Sequence, residues 1–277
     1  MIQLGEIQTL QIVKKVEFGV YLGDGINPEE KVLLPKKQVP DGAQMGDPVQ
    51  VFVYRDSKDR LIATTNMPKL TLHGVARVKV AQVGRIGAFL DWGLEKELLL
   101  PFKEQTKKVS AGEECLVALY IDKSSRLCAT MNVYPYLDKN SPYHKDDRVT
   151  GTVYEISQNF GAFVAVDDQY SGLIPKKELY GNVQIGDRIT ARVTGVKEDG
   201  KLDLSIREKA YLQIEQDAEK VLDIIDSFDG VLPFNDKASP EVIKRETGLS
   251  KNAFKRAVGH LYKERKIEIT ERGIRRL

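Results

Sequence analysis

The side chains that most often carry out catalysis or bind metals are few in this sequence and stand far apart. Its three histidines are His73, His144 and His260, and none lies in a zinc-ligand or H-x-E context. Cys115 and Cys128 lie in consecutive strand-like segments without CxxC spacing, which indicates buried, reduced thiols. The sequence has no glycine-rich phosphate loop and no acidic cluster at adjacent strand ends. These observations predict a protein without intrinsic catalysis, cofactor or metal.

Aromatic side chains offer a second kind of chemistry, because an exposed ring can stack on a flat ligand. Three segments share one aromatic-rich pattern: "FGVYL" at 18–22, "IGAFLDW" at 86–92 and "FGAFVAV" at 160–166. Strand alternation in the third segment places Ala162, Val164 and Val166 on one face and Phe163 on the other. Since a small barrel holds few large side chains, an outward ring requires an explanation. Beside a cationic side chain, such a ring can stack a nucleic-acid base while the cation neutralises a phosphate.

These three segments belong to an internal repeat. Each is followed by an apolar run that ends in proline: "VLLP", "LLLP" and "GLIP". The marker glycine precedes that proline by 16 residues in the first copy and by 14 in the other two: Gly19 to Pro35, Gly87 to Pro101 and Gly161 to Pro175. A further glycine follows the proline by 11 residues in every copy. Each copy is about 60–70 residues long, which is the size of one small domain.

The residues within each copy favour five short strands. In the third copy these are "GTVYEIS", "GAFVAVD", "SGLIP", "RITARVTGV" and "KLDLSI", with Gly, Asp or Asn turn signals between them. The pattern predicts a mainly β fold with three tandem five-stranded barrels over residues 1–70, 71–135 and 148–207. Residues 136–147 form a linker by composition. Because few residues separate the first two copies, we expect those two barrels to pack together.

The third copy resembles the S1 RNA-binding domain, a variety of the OB-fold. The shared pattern runs G-x-V, F-G-x-F-V, G-L-[IV], G-D-x-[IV] and a closing L-S strand, and it covers residues 151–207. The resemblance implies an RNA surface made by two aromatics of the second strand and two residues of the last hairpin. The matching residues here are Phe160, Phe163, Lys197 and Lys201. Pro175 stands where the family has a histidine.

The other two copies carry the same pattern in part. The corresponding residues are Phe18, Tyr21, Asp56 and Arg60 in the first copy and Ile86, Phe89, Asp122 and Arg126 in the second. The aromatic pair is therefore complete in the first and third copies only. An alternative is that these rings are partly buried against a neighbouring barrel. Trp92, the single tryptophan, is either a core anchor or an additional stacking ring.

The segment "VYPYLDKNSPYHKDD" at 133–147 connects the second and third copies. It contains two prolines and three tyrosines with little apolar periodicity, which is typical of a linker. Tyr134, Tyr136 and Tyr143 could extend a stacking surface. We expect them instead to dock the linker onto a barrel.

After Arg207 the apolar pattern changes to a helical period. One amphipathic helix is predicted to end at Gly230, and two shorter helices begin after the N-cap residues Ser239 and Ser250, with Gly248 between them. The apolar face of the last helix is formed by Phe254, Val258 and Leu261. Two short strand-like segments, "KIEIT" and "IRRL", follow. Residues 208–277 thus resemble an α+β winged-helix domain.

Charge distinguishes the end of the chain from the rest. The whole chain has a net charge of only +2, which by itself does not indicate a nucleic-acid partner. Residues 239–277 contain eleven Lys and Arg against five acidic residues. A cluster of this kind predicts phosphate contacts, although a solvated helix face is the alternative for any single lysine. The candidates are Lys251, Lys255, Arg256, Lys263 and Arg272.

Three S1-like barrels followed by a winged helix resemble the conserved virulence factor B family of bacterial RNA-binding regulators. The segments "LPFNDKASPEVIK" and "LSKNAFKRAVGHLYKERKI" resemble its C-terminal domain. Membership implies a non-catalytic protein that binds single-stranded RNA and influences gene expression. The sequence shows no long apolar stretch, so we expect a cytoplasmic protein with no membrane partner. Alternatives are a transcriptional regulator that binds duplex DNA through the winged helix, or a ribosome or nuclease accessory protein whose barrels bind protein.

Overall fold

The computed structural model describes residues 1–27, 29–179, 182–207 and 210–277, without the side chains of 210–213. The chain divides into two compact units, Met1–Ile206 and Arg207–Leu277. Among the residues described, no helix combines the length and apolar character that a membrane crossing requires.

Fifteen strands are described in the first unit, five for each copy of the repeat. The first copy contains β1 (Ile7–Val16), β2 (Gly19–Gly23), β3 (Val32–Pro35), β4 (Pro48–Arg55) and β5 (Leu61–Thr64). The second contains β6 (Val75–Val83), β7 (Gly87–Asp91), β8 (Leu98–Pro101), β9 (Glu114–Ile121) and β10 (Leu127–Thr130). The third contains β11 (Arg148–Ser157), β12 (Gly161–Val166), β13 (Tyr170–Pro175), β14 (Arg188–Val196) and β15 (Leu202–Ser205).

The three sets of strands share one topology. The first and third sets form closed barrels in the orders β1-β2-β3-β5-β4 and β11-β12-β13-β15-β14, and the second has the matching order β10-β9-β6-β7-β8. The first strand of each set is interrupted by a bulge at the same place, after Ile12, Val80 and Val153. A bulge bends a strand and increases its twist, which helps a five-stranded sheet to curve. The predicted mainly β fold with three five-stranded barrels is confirmed.

The first two barrels pack together through aromatic side chains, as the short connection between them predicts. Phe52 and Tyr54 of β4 belong to the same buried cluster as Trp92, which follows β7. The ring of Trp92 contacts that of Phe52 edge-on at 5.6 Å, and its Nε1 donates a hydrogen bond to the carbonyl of Lys96 at 2.7 Å. Burial of one large apolar side chain contributes about 1.5–3 kcal/mol. Trp92 is therefore a core anchor.

The segment between the second and third barrels follows the surface of the third. Asp138 forms a parallel bridge with Tyr170 of β13. The hydroxyl of Tyr143 donates to the carboxylate of Asp167, and its ring contacts that of Tyr170 at 6.2 Å. Tyr136 stacks on the ring of His73 at 5.9 Å. Two of the three linker tyrosines thus dock onto their surroundings as expected.

The second unit has the strand and helix order of a winged helix. It contains α1 (Ala210–Ser227), β16 (Val231–Leu232), α2 (Pro240–Thr247), α3 (Lys251–Lys263), β17 (Ile267–Ile269) and β18 (Ile274–Arg276). The hydroxyls of Ser239 and Ser250 accept from the amides of Val242 and Ala253, which caps α2 and α3. Gly248 is left-handed and ends α2. The apolar face predicted for α3, Phe254, Val258 and Leu261, is buried.

Both cysteines are buried and free of disulfide bonds. Burial raises the pKa of Cys115 to about 12, and burial together with the nearby Asp122 raises that of Cys128 to about 11. A thiol with such a pKa is protonated at neutral pH and is a poor nucleophile. The interpretation of both residues as structural thiols is therefore confirmed.

The marker glycine of each copy stands where two strands approach too closely for a side chain. A Cβ at Gly19 or Gly87 would lie 2.2 Å from the carbonyl oxygen of Leu34 or Leu100, and one at Gly161 would lie 2.0 Å from that of Ile174. No real Cβ tolerates such a distance to backbone. The repeat glycine is consequently a steric requirement of the barrel.

We expect Gly161→Ala to lower the free energy of unfolding by about 1–3 kcal/mol, because β13 must move to admit the methyl group. Urea unfolding of the full chain, followed by circular dichroism, measures the change. Gly195→Ala in β14 is the matched control, since a Cβ there meets no atom within 4 Å. Equal stability of the two variants would contradict the steric requirement.

Candidate nucleic-acid interface

The third barrel brings all four of its predicted surface residues together. Phe160 precedes β12 and keeps 63% of its surface exposed, and Phe163 is half-buried on the outer face of β12. Their ring centroids lie 6.4 Å apart. Lys197 and Lys201 extend from the hairpin between β14 and β15. All four line one groove of about 210 Å³, which we call the third groove.

The pairing of strands explains why these rings face outward. Phe163 stands opposite Leu173 on the outer face of the β12–β13 pair, while the flanking residues Ala162 and Val164 fill the barrel. Tyr154, at the bulge of β11, lies beneath Phe163 with the ring centroids 6.2 Å apart. The Phe163 ring is therefore supported from one side and open to the groove on the other.

Tyr134 adds a third ring to this groove, which the sequence pattern did not favour. It begins a short 3₁₀ turn at Tyr134–Tyr136, keeps 46% of its surface exposed and lines the third groove. The Nζ of Lys201 lies 5.7 Å from the centre of its ring, within the range of a cation–π contact. Tyr134 thus contacts the third barrel through Lys201, as expected for a linker tyrosine, and part of its ring also remains exposed to the groove. Its only signal in the sequence was an unexplained aromatic in a polar segment.

The charges at the third groove are positive. Lys197 Nζ lies 3.4 Å from Asp203 and Lys201 Nζ lies 2.7 Å from Asp199, but neither carboxylate lines the groove. A hydrogen bond to Asp199, with a second to Tyr134, raises the pKa of Lys201, so this cation stays protonated at neutral pH. The groove thus combines three partly exposed rings with two cations, and it can stack flat groups and attract anions.

The first barrel carries a smaller version of the same surface. Phe18 is 59% exposed before β2, and Tyr21 is half-buried on the outer face of β2. Lys31, which the pattern did not indicate, places its Nζ 5.8 Å from the centre of the Tyr21 ring. Arg60 is exposed but donates to Asp56 from both Nε and Nη2, at 3.0 and 2.7 Å. Arg60 is thus paired within its hairpin, as Lys201 is with Asp199 in the third barrel.

In the second barrel two of the corresponding residues, Phe89 and Arg126, face the first barrel. Phe89 lines a pocket of about 270 Å³ whose opposite wall includes Tyr54 and the hairpin after β4. Arg126 Nε donates to Asp59 of that hairpin at 3.2 Å, and Arg55 Nε donates to the carbonyl of Ser125 at 3.1 Å. The alternative of a ring partly buried against a neighbouring barrel therefore applies to Phe89 of the second copy.

The winged helix presents its predicted cations on one side of α3 and on the hairpin that follows. Lys255, Arg256 and Lys263 are exposed on α3, Lys251 is half-buried at its start, and Arg272 is exposed between β17 and β18. Within the described part of the chain, none of the five forms an ion pair within 4 Å. Unpaired cations are free to approach phosphates.

Other cations of the second unit are already paired. Arg276 contacts the carboxylate of Asp226, Lys266 lies 2.8 Å from Glu264, and Arg245 lies 2.7 Å from Glu246. The exposed side of α1 is acidic, with Glu215, Glu219, Asp223 and Asp226. The exposed side of α1 is thus mainly acidic, whereas α3 presents unpaired cations.

Family comparisons cover almost the whole chain. Residues 4–66 and 75–132 match the S1 domain, 136–208 match the second domain of the virulence regulatory factor CvfB, and 219–275 match the CvfB-like winged helix domain. These matches confirm S1 domains in the first two barrels and a winged helix in the C-terminal part, and they assign the third barrel to the second domain of the CvfB family.

Full-length relatives agree with these matches. Conserved virulence factor B of Staphylococcus saprophyticus is 31% identical over 98% of this chain and 95% of the relative. The corresponding protein of Staphylococcus aureus is 30% identical over 99% of this chain and 96% of the relative. A crystal structure of a Streptococcus pneumoniae multidomain protein with nucleic acid binding domains matches 99% of this chain and 98% of that chain, with 26% identity and a TM-score of 0.51. The chain belongs to the conserved virulence factor B family.

Proposed function

We propose that this protein binds single-stranded RNA without catalysing a reaction and regulates gene expression through that binding. The observation that carries the proposal is the third groove, where Phe160, Phe163 and Tyr134 line one surface with Lys197 and Lys201. A base stacked on a protein ring contributes about 1–3 kcal/mol, so three rings and two cations suffice for useful affinity.

The geometry favours an unpaired strand. Bases in a duplex are stacked on each other and expose only their edges, whereas an unpaired base can place its face on a ring. The exposed face of Phe160 and the opening beside Phe163 suit that contact. Stacking accepts any base, so we expect little sequence preference from this groove.

The three barrels contribute unequally in this proposal. The third groove is the main site, and the first barrel adds Phe18 and Tyr21 with Lys31 nearby. The second barrel's Arg126 is engaged by Asp59 and contributes little.

The domain boundaries in this proposal are 1–70, 71–135 and 148–207 for the three barrels. Residues 136–147 are the connecting segment, and 208–277 are the winged helix.

The winged helix is a second contact in this proposal. The unpaired cations of α3 support phosphate binding to the same RNA, and the regulatory role follows from the matched virulence regulatory factor family. Binding of duplex DNA through α3 is the second candidate, because a helix of this kind can enter a major groove. We place the protein in the cytoplasm, where transcripts are available.

Phe160→Ala/Phe163→Ala should weaken binding of a single-stranded RNA by about 30-fold or more, since two stacking rings are removed. Fluorescence anisotropy with the full chain measures the affinity. Phe228→Ala, which removes an exposed ring of the second unit, is the control and should leave the affinity unchanged. Because Phe163 also packs on Tyr154, the single variant Phe160→Ala, at the more exposed ring, is measured as well. Unchanged RNA affinity in both variants would contradict the stacking proposal.

Tyr134→Ala should weaken binding of the same RNA by about 5- to 150-fold, because the contact with one stacked base is lost. Tyr134→Phe keeps the ring and removes only the hydroxyl next to Lys201. We therefore expect the phenylalanine variant to bind nearly as well as the unmodified chain. If the two variants lose equal affinity, the hydroxyl rather than the ring matters and Tyr134 is not a stacking residue.

Lys255→Ala/Arg256→Ala should reduce the slope of log affinity against log salt by about 1.4 for single-stranded RNA, if each cation meets one phosphate. Titrations at four salt concentrations, with RNA and with duplex DNA of equal length, measure the slopes. The control is Arg245→Ala/Lys266→Ala, which removes two cations that already have carboxylate partners. An effect confined to duplex DNA would support the second candidate. Unchanged slopes would remove α3 from the interface.

A further inference from the structure

One backbone hydrogen bond recurs in all three barrels and identifies equivalent surface positions. The amide of the residue after the marker proline donates to the carbonyl of the residue before the marker glycine. The pairs are Lys36 to Phe18 at 3.0 Å, Phe102 to Ile86 at 3.4 Å and Lys176 to Phe160 at 3.0 Å. Each pair therefore lies at the same corner of its barrel.

At this corner the second barrel has exchanged the types of its residues. The first and third barrels have an exposed ring before the glycine and an exposed lysine after the proline. The second barrel has Ile86 before the glycine, 61% exposed, and Phe102 after the proline, 51% exposed. An exposed ring is thus present at all three corners, although the second barrel supplies it from the other strand.

Cationic residues flank Phe102 and Ile86 along the chain. Arg85 precedes Ile86 and Lys103 follows Phe102, and both are exposed without an ion pair in the described part of the chain. Phe89, the half-buried ring of β7, lies against Gly84 and lines the pocket toward the first barrel, so it is not part of this corner. The corner therefore combines one exposed ring with two exposed cations on neighbouring residues.

We propose that Phe102 is the base-stacking residue of the second barrel and that its ligand is single-stranded RNA. The proposal rests on the proposed function of the barrels and extends it to a surface where the family pattern lacks its first aromatic. Two free cations beside the ring favour a polyanion, whereas a protein-docking patch is depleted of charge at its centre. Arg126 is not needed, because Arg85 and Lys103 provide the positive charge.

The test uses the full chain carrying Phe160→Ala/Phe163→Ala, so that the third groove is disabled and the remaining RNA affinity is measured by anisotropy. Adding Phe102→Ala should lower that affinity by about 5- to 150-fold. Adding Phe102→Lys together with Ile86→Phe recreates the arrangement of the other two barrels. This variant should keep the remaining RNA affinity. Adding Phe228→Ala is the matched loss of an exposed ring elsewhere and should have no effect.

Every outcome decides the inference separately from the proposed function. Loss with Phe102→Ala and retention in the exchanged variant support it, and unchanged thermal midpoints exclude unfolding as the cause. No change with Phe102→Ala, or no measurable affinity left in the background, overturns it. A change in mass by light scattering with unchanged RNA affinity overturns it in favour of a protein contact. If Phe160→Ala/Phe163→Ala alone has no effect, the third-groove proposal fails while the Phe102 comparison still stands.

Discussion

The close approach of the second and third strands at the marker glycine is the constraint on which the surface of each barrel depends. Because no Cβ fits between Gly161 and the carbonyl of Ile174, the two backbones meet there and the preceding turn folds back onto the next strand. The hydrogen bond from Lys176 to Phe160 then holds that turn in place. A side chain at the position of Phe160 has no interior to enter and must face solvent. The steric requirement of the fold thereby creates an exposed corner in every copy.

One backbone carries three different surfaces. In the third barrel the corner lies beside Tyr134 and two lysines, which makes a positive groove with three rings. In the first barrel Lys31 lies over the Tyr21 ring while Arg60 pairs with Asp56. In the second barrel the hairpin residue Arg126 pairs with Asp59 of the first barrel. The exposed cations of its corner are instead Arg85 and Lys103. Duplicated folds can thus divide structural and binding roles among copies.

In the winged helix, a single helix, α3, has both a structural face and an exposed basic face. α3 buries Phe254, Ala257, Val258 and Leu261 against the other elements of its unit and turns its unpaired cations outward. The exposed side of α1 carries Glu215, Glu219, Asp223 and Asp226. A polyanion would be attracted to one helix and repelled by the other, so the charge separation gives the unit a preferred orientation toward its ligand.

The sequence alone determined the three barrels, the winged helix and the outward direction of Phe163. These features depend on local rules, since strand alternation, cap residues and glycine spacing act over a few residues. Tertiary structure decided which surfaces remain free: Arg126 is joined to Asp59, 67 residues away, while Tyr134 stays open beside Lys201. Such contacts form only when barrels pack against each other. No local pattern encodes them, because they depend on how distant parts of the chain meet.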